Sequence, residues 1–577
     1  MQVEASFADL SSNPLELHMS RASPGRYALH EFAKNVFDLA ATDAAGASLA
    51  VTHTAPHQWV VTTHPSSVRV TYRVFGDRTD GTYLSIDPTH AHINMPAAVM
   101  WARGLETRPV NVRFEPPAGS NWRVATQLFP GADAQTFTAP NLQYLMDSPA
   151  EFSAYSLREF VVDGHAFRFA LHHTGTEAEE DSFVADVQKI VRTEEQVFGE
   201  FPNYEPGNYT FIVDYLPYAD EDGMEHRNST VITSSTNLRN AHEPLLDTVA
   251  HEFFHNWNVE RIRPKSIEPF DLERANMSGE LWLAEGFTEY YGPLTLARAG
   301  LASVASTLSR MLGFITSVAL SPAHVLRSAE AMSQMAPFTD GGTPIDRTNF
   351  ANTVTSYYPF GAAIALAMDL SLRERTDGRI GLDDYMRAMW TRYGKPGGAR
   401  EGYVDRPYTM ADAESALAGV SGDRAFARDF VARYIEGHDV ADYATLLTPA
   451  GLVLRRQFPG RASWGQVRIE ARGGAARVSQ PILSDAPAYR AGIDMGDTIR
   501  TIDGARIATS EDVAAVVARH KPGETMQVQY VDRTNVPKTV AVTLVEDPGL
   551  ELVAVESSGG TLTAAQRAFR NHWLGPQ

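Results

Sequence analysis

The 577-residue chain has no cysteine. Disulfides are thereby excluded, and the absence favours an exported, periplasmic life over a cytosolic one. No apolar run approaches the roughly 18 residues that a membrane span requires, so none is expected. The opening Met1-Gln2-Val3-Glu4-Ala5-Ser6-Phe7 lacks a basic n-region and an apolar h-region, so no signal peptide is expected at this start. Positive charge is also scarce. Against 70 Asp and Glu stand 50 Lys and Arg, and the net charge of −20 argues against nucleic acid or an anionic membrane as partner. Internal repeats and low-complexity tracts are missing too. What remains is a soluble chain too long for one growing core, in which three or four domains are expected.

Within this chain the most informative stretch is Leu245-Leu246-Asp247-Thr248-Val249-Ala250-His251-Glu252-Phe253-Phe254-His255-Asn256-Trp257. Two histidines four apart on a helix share a face, so both imidazoles can reach one ion. Glu252 is rotated about 100° from His251. From there it can serve as a base towards a water without ligating the metal. The surrounding Leu245, Leu246, Val249, Phe253, Phe254 and Trp257 mark the helix as buried, and buried imidazoles need a partner.

A hydrolytic zinc site uses three protein ligands and keeps one position open. Beyond His255 comes Leu281-Trp282-Leu283-Ala284-Glu285-Gly286-Phe287-Thr288-Glu289-Tyr290-Tyr291, in which Glu285 and Glu289 are four apart on a largely apolar helix. Two carboxylates there would be costly unless cations or donors meet them. With Glu285 as third ligand, Glu289 is one turn away and can accept a proton from a ligand histidine, orienting it.

H-E-x-x-H followed by W-L-x-E-G-F resembles the glutamate-zincin metallopeptidases, and within them the glycyl aminopeptidase family. The strings His251 to Val259 and Arg261-Ile262-Arg263-Pro264 are similar to that family's signature. The aminopeptidase N group spaces its third ligand more closely, which favours the glycyl branch. Asp222-Gly223-Met224-Glu225-His226-Arg227-Asn228-Ser229 resembles the G-x-M-E-N element of zinc aminopeptidases, with His226 in place of Asn. The resemblance gives Glu225 the free substrate amine. Ser356-Tyr357-Tyr358-Pro359-Phe360-Gly361 resembles the segment whose Tyr steadies the oxyanion. Aligning glycines gives that role to Tyr358, with Tyr357 as the alternative.

The rest of the chain supplies an architecture. Residues 1–170 alternate as β-strands (Val68, Val70, Tyr72 and Val74 against Arg69, Thr71 and Arg73) and form an antiparallel, sandwich-like N-terminal domain. Residues 171–455 are expected to be a thermolysin-like catalytic domain, α/β around the zinc helix and helical beyond Pro293. In 456–548, Pro487-Ala488-Tyr489-Arg490-Ala491-Gly492-Ile493, then Gly496-Asp497 and Ile502-Asp503-Gly504, resembles bacterial PDZ domains. Its groove either captures a peptide strand or packs on the catalytic domain. The tail, 549–577, is expected to dock one amphipathic helix carrying Leu562, Ala565, Phe569 and Trp573. The fold class is multidomain α+β.

The expected function is a Zn2+-dependent aminopeptidase acting on peptides with a free N-terminus, glycine or alanine being preferred by resemblance alone. His251, His255 and Glu285 hold the zinc, and Glu252 is the base. Two alternatives are a metalloendopeptidase in which Glu225 is structural, and a PDZ adaptor with a vestigial hydrolase core.

Overall fold

The computed structural model describes all residues except 11–13, 240, 241, 341–346, 473, 576 and 577. Its contacts divide the chain into two compact units. The first comprises 1–303, 333–344 and 380–428. The second comprises 304–332, 345–379 and 429–577.

The first unit begins with short antiparallel strands. Val68–Val74 pairs with Gln2–Phe7 and with Val36–Thr42, and its residues alternate between buried and accessible, as the sequence pattern requires. A further four-stranded sheet runs Arg123–Thr126, Ala150–Ser153, His90–Ile93, Leu84–Ile86. Leu17, Val61, Val70, Tyr72, Met146 and Phe152 belong to a shared apolar core. Next comes a five-stranded sheet in the order Ser156–Val162, His165–His173, Asn208–Tyr215, Ser229–Ser234, Asp222–His226. The two strands flanking Asn208–Tyr215 run parallel to it, and the two outermost pairings are antiparallel. The G-M-E-H segment is thus an edge strand, with Glu225 opposite Thr230.

Against this sheet packs the helix His242–Phe254, burying Leu245, Leu246, Val249, Phe253 and Phe254. Phe253 meets the rings of Tyr209 and Phe211, and Phe254 stacks on Tyr291 with ring centroids 4.3 Å apart. Burial of each such ring contributes about 1.5–3 kcal/mol. The helix ends at Phe254, earlier than Trp257, and His255 opens a series of turns. The turns are tied by the main-chain bonds Trp257 N to Phe254 O and Val259 N to His255 O.

The second unit contains the helices Val304–Ala319 and Tyr357–Arg375 and the PDZ-like sheet. Ile499, Ile502, Val528 and Val542 fill the core of that sheet. Its short helix Pro487–Arg490 stops before Gly492, whose φ of +90° suits a residue without Cβ. Asn352, on the helix Arg347–Thr353, donates to Ile482 O at 3.0 Å and accepts from Ser484 N at 2.6 Å, so the PDZ region is bonded to that helix. The tail helix Ala564–Leu574 begins after Leu562, which was expected on it, and leaves Ala565 exposed. Trp573 is buried and Arg570 donates to Ala450 O and Gly451 O at 2.9 and 3.0 Å.

Candidate active site

The helix His242–Phe254 and the turn after it present His251 and His255 to Glu285, which lies at the junction of Leu281–Ala284 and Gly286–Arg298. Three donor atoms converge there. His251 Nε2 and His255 Nε2 are 3.1 Å apart, and Glu285 Oε2 lies 3.9 and 3.2 Å from them. Donors at 2.0–2.2 Å from a tetrahedral ion stand about 3.3–3.6 Å from one another. The three separations lie close to that range, so the set could hold a divalent cation.

The far side of each imidazole is held as well. His255 Nδ1 donates to Asn258 O at 2.6 Å, and His251 Nδ1 faces Glu289 Oε2 at 3.3 Å. Both Nε2 atoms are thus aimed at Glu285. Asn258 Nδ2 reaches Leu283 O, Ala284 O and Thr288 Oγ1 at 3.0–3.1 Å, joining the histidine turn to the Glu285 segment. The remaining oxygen of Glu285 accepts from the Tyr27 hydroxyl. Tyr27 lies in the N-terminal β region, more than 250 positions away, and sequence spacing held no signal for it.

Glu252 and Glu225 lie beside these donors. One donor atom from each of Glu225, Glu252 and His255 lies within 4.8 Å of the other two. Burial raises the Glu252 carboxyl above the usual range, partly opposed by His251 and His255. Its Oε2 is buried without a hydrogen-bond partner. Burial also pushes Glu225 well up, and Glu285 and Glu252 add to this while His255 opposes it. At His255 burial works against the charge, but Glu285 and Glu225 outweigh it and raise the imidazole to about 10. Such a surplus of buried carboxylate is the environment that a divalent cation neutralises.

Gly223 explains one constraint of the G-M-E-H strand. A Cβ at this position would stand 2.0 Å from Glu252 Oε1, so the carboxylate occupies the space that glycine leaves. Asp222 is paired with Arg26, and His226 Nδ1 with Asp147 Oδ1 at 2.9 Å. Arg261 donates to Asn256 O, Arg227 O and Asn228 Oδ1 at 2.7–2.9 Å, tying the turns after the helix to the hairpin that carries Glu225. Tyr358 belongs to the second unit, in the first turn of Tyr357–Arg375, and its amide donates to Ser356 Oγ at 3.4 Å.

Comparison with known proteins gives these residues a context. The model for the Peptidase M61 N-terminal domain matches residues 1–154, that for M61 glycyl aminopeptidase 244–364, and that for a PDZ domain 466–544. No curated protein sequence matches the chain. Among solved structures, it is similar to an aminopeptidase N family protein from Idiomarina loihiensis. The two are 23% identical with a TM-score of 0.84, over 100% of this chain and 97% of that one. A two-domain M1 zinc metallopeptidase bound to L-arginine is 13% identical, with a TM-score of 0.42 over 76% and 90% of the two chains. Aminopeptidase A of Legionella pneumophila is 12% identical, with a TM-score of 0.42 over 98% and 58%. Among the described residues, no helix is long and apolar enough to cross a membrane. The chain is a peptidase whose residues 1–154 and 244–364 match the M61 N-terminal and M61 glycyl aminopeptidase families, with a PDZ domain matched over 466–544.

Proposed function

We propose that the chain is a zinc aminopeptidase that releases small N-terminal residues, glycine or alanine, from peptides. The reading is carried by the convergence of His251 Nε2, His255 Nε2 and Glu285 Oε2 beside a buried, unpartnered Glu252 oxygen. These three residues would hold the zinc, which supplies Lewis acidity to the scissile carbonyl and the attacking water. Glu252, whose carboxyl is raised above the usual range by burial, takes the water's proton and returns it to the leaving amine. Glu289 and the carbonyl of Asn258 hold the two imidazoles in the tautomer that turns Nε2 inward. Tyr358 keeps the oxyanion role implied by resemblance, and rests on sequence alone. The small-residue preference likewise comes from the family.

Glu225 sets the register of the substrate. A buried carboxylate on an edge strand, within reach of Glu252 and His255, can pair with the α-ammonium of a peptide. That pairing leaves no room for a preceding residue, so one residue is removed at a time. A peptide with an acetylated N-terminus has no charge to offer and would leave the carboxylate uncompensated. We expect cleavage of glycyl or alanyl peptides to be abolished by acetylation, as read by mass spectrometry of a free peptide and its acetylated twin. Glu225→Ala should depress turnover of the free peptide while zinc content is kept. Internal cleavage of the blocked peptide at a comparable rate would identify an endopeptidase.

A further inference from the structure

The first unit contains a second group of histidines and carboxylates, remote in sequence from the H-E-x-x-H segment. On the strand His90–Ile93, His90 and His92 are two residues apart and so share a face. The neighbouring strand Ala150–Ser153 brings Glu151 opposite His92. In the five-stranded sheet, His172 and Asp214 are register partners on adjacent parallel strands. His90, His92, Glu151 and Asp214 are fully buried, and the His172 side chain is 17% exposed.

Four atoms meet at one point. His90 Nδ1 lies 3.5 Å from Glu151 Oε1 and 3.9 Å from Asp214 Oδ1. His172 Nδ1 lies 3.8 and 3.7 Å from the same two oxygens. Charge-assisted N–H···O bonds close to about 2.7–2.9 Å. No contact here is that short: the ion pairs stand at 3.5–3.9 Å, and all four atoms are buried without a close hydrogen bond. The separations are instead close to the roughly 3.3–3.6 Å between donors around one tetrahedral ion. His90 Nε2 is engaged with Ser85 Oγ at 3.2 Å, which in turn accepts from Thr79 Oγ1 at 2.7 Å. With a proton on Nε2, Nδ1 of His90 presents its lone pair to the cluster. The other oxygens of the carboxylates face His92 Nδ1, at 3.4 Å for Asp214 Oδ2 and 3.9 Å for Glu151 Oε2.

Two buried carboxylates held only by long contacts to imidazoles are costly, and a cation held between them lowers that cost. The mixed imidazole and carboxylate donors suit a borderline divalent ion of the zinc type rather than calcium or magnesium. We propose that His90, Glu151, His172 and Asp214 form a second, closed zinc site. Four protein donors leave no open position, so its role is to pin the sheet of His90–Ile93 to the sheet of Asn208–Tyr215.

The test uses the full chain, without an affinity tag, carrying His251→Ala and His255→Ala so that the first site is disabled. After chelation and dialysis against Zn2+, metal content is measured by mass spectrometry. One zinc per chain is expected, and its loss when His172→Ala is added. A zinc-free double variant, or a triple variant that still retains one ion, would overturn the proposal. Should the triple variant not fold, X-ray absorption at the zinc edge of the double variant decides. Four N and O neighbours, two of them imidazole, uphold the site; one imidazole or none sinks it.

Discussion

Around His251 and His255, two donors come from one helical turn and the residue that follows it, and a single later segment supplies Glu285. Around His90 and His172, each of the four donors comes from a different strand of two sheets. The first arrangement leaves one side to Glu252 and Glu225. The second is enclosed by its own four donors and His92. A helix offers neighbouring ligands at small cost in chain ordering, and leaves space in front of them for a reacting group. Strands fix ligands through register, which suits a permanent fastening. The difference teaches how one fold can place similar donors in two geometries, one open towards Glu252 and Glu225 and one enclosed, which is what the two proposed roles require.

The contrast is sharpest at Glu252. Glu252→Gln should lower kcat by about 10²–10⁴-fold, because the base is lost while all the donors stay. Metal analysis should show zinc content unchanged at both clusters. Activity near that of the unaltered enzyme would remove Glu252 from the chemistry. A somewhat smaller effect is expected from Gly223→Ala. The added Cβ displaces the Glu252 carboxylate, and a misplacement of about 1 Å costs on the order of 10²-fold in turnover. Steady-state kinetics alongside zinc content checks this, and a normal kcat would mean that the strand gives way instead. The smallest effects belong to the outer supports. Tyr27→Phe removes a donor to Glu285, and Glu289→Ala the acceptor of His251. Each should weaken zinc binding at the first cluster about 10–100-fold in competition with a chelator, leaving the ion at the second in place. An equal loss at both clusters would break the distinction between them.

Much of the first cluster was legible because its information is local. Four-residue spacing across the last turn of an apolar helix and the residue after it brings His251 and His255 together, and the same spacing relates Glu285 to Glu289. The alternation in Val68–Val74 was legible for the same reason. The G-M-E-H segment showed only a chemical type. Its form as an edge strand, and the fit of Gly223 against Glu252, depend on pairing with Ser229–Ser234.

By itself, then, the sequence determined which residues of the helix His242–Phe254 share a face, where strands alternate, and that Gly492 stops a helix. These follow from the repeat of the backbone, which neighbours in sequence settle between themselves. Only the tertiary structure decided that Tyr27 supports Glu285, that Asn258 ties His255 to the following helix, and that His90, Glu151, His172 and Asp214 meet. Those contacts join segments tens to hundreds of positions apart. Their geometry is set by sheet register and by which faces pack, and neither is written in any single stretch of chain.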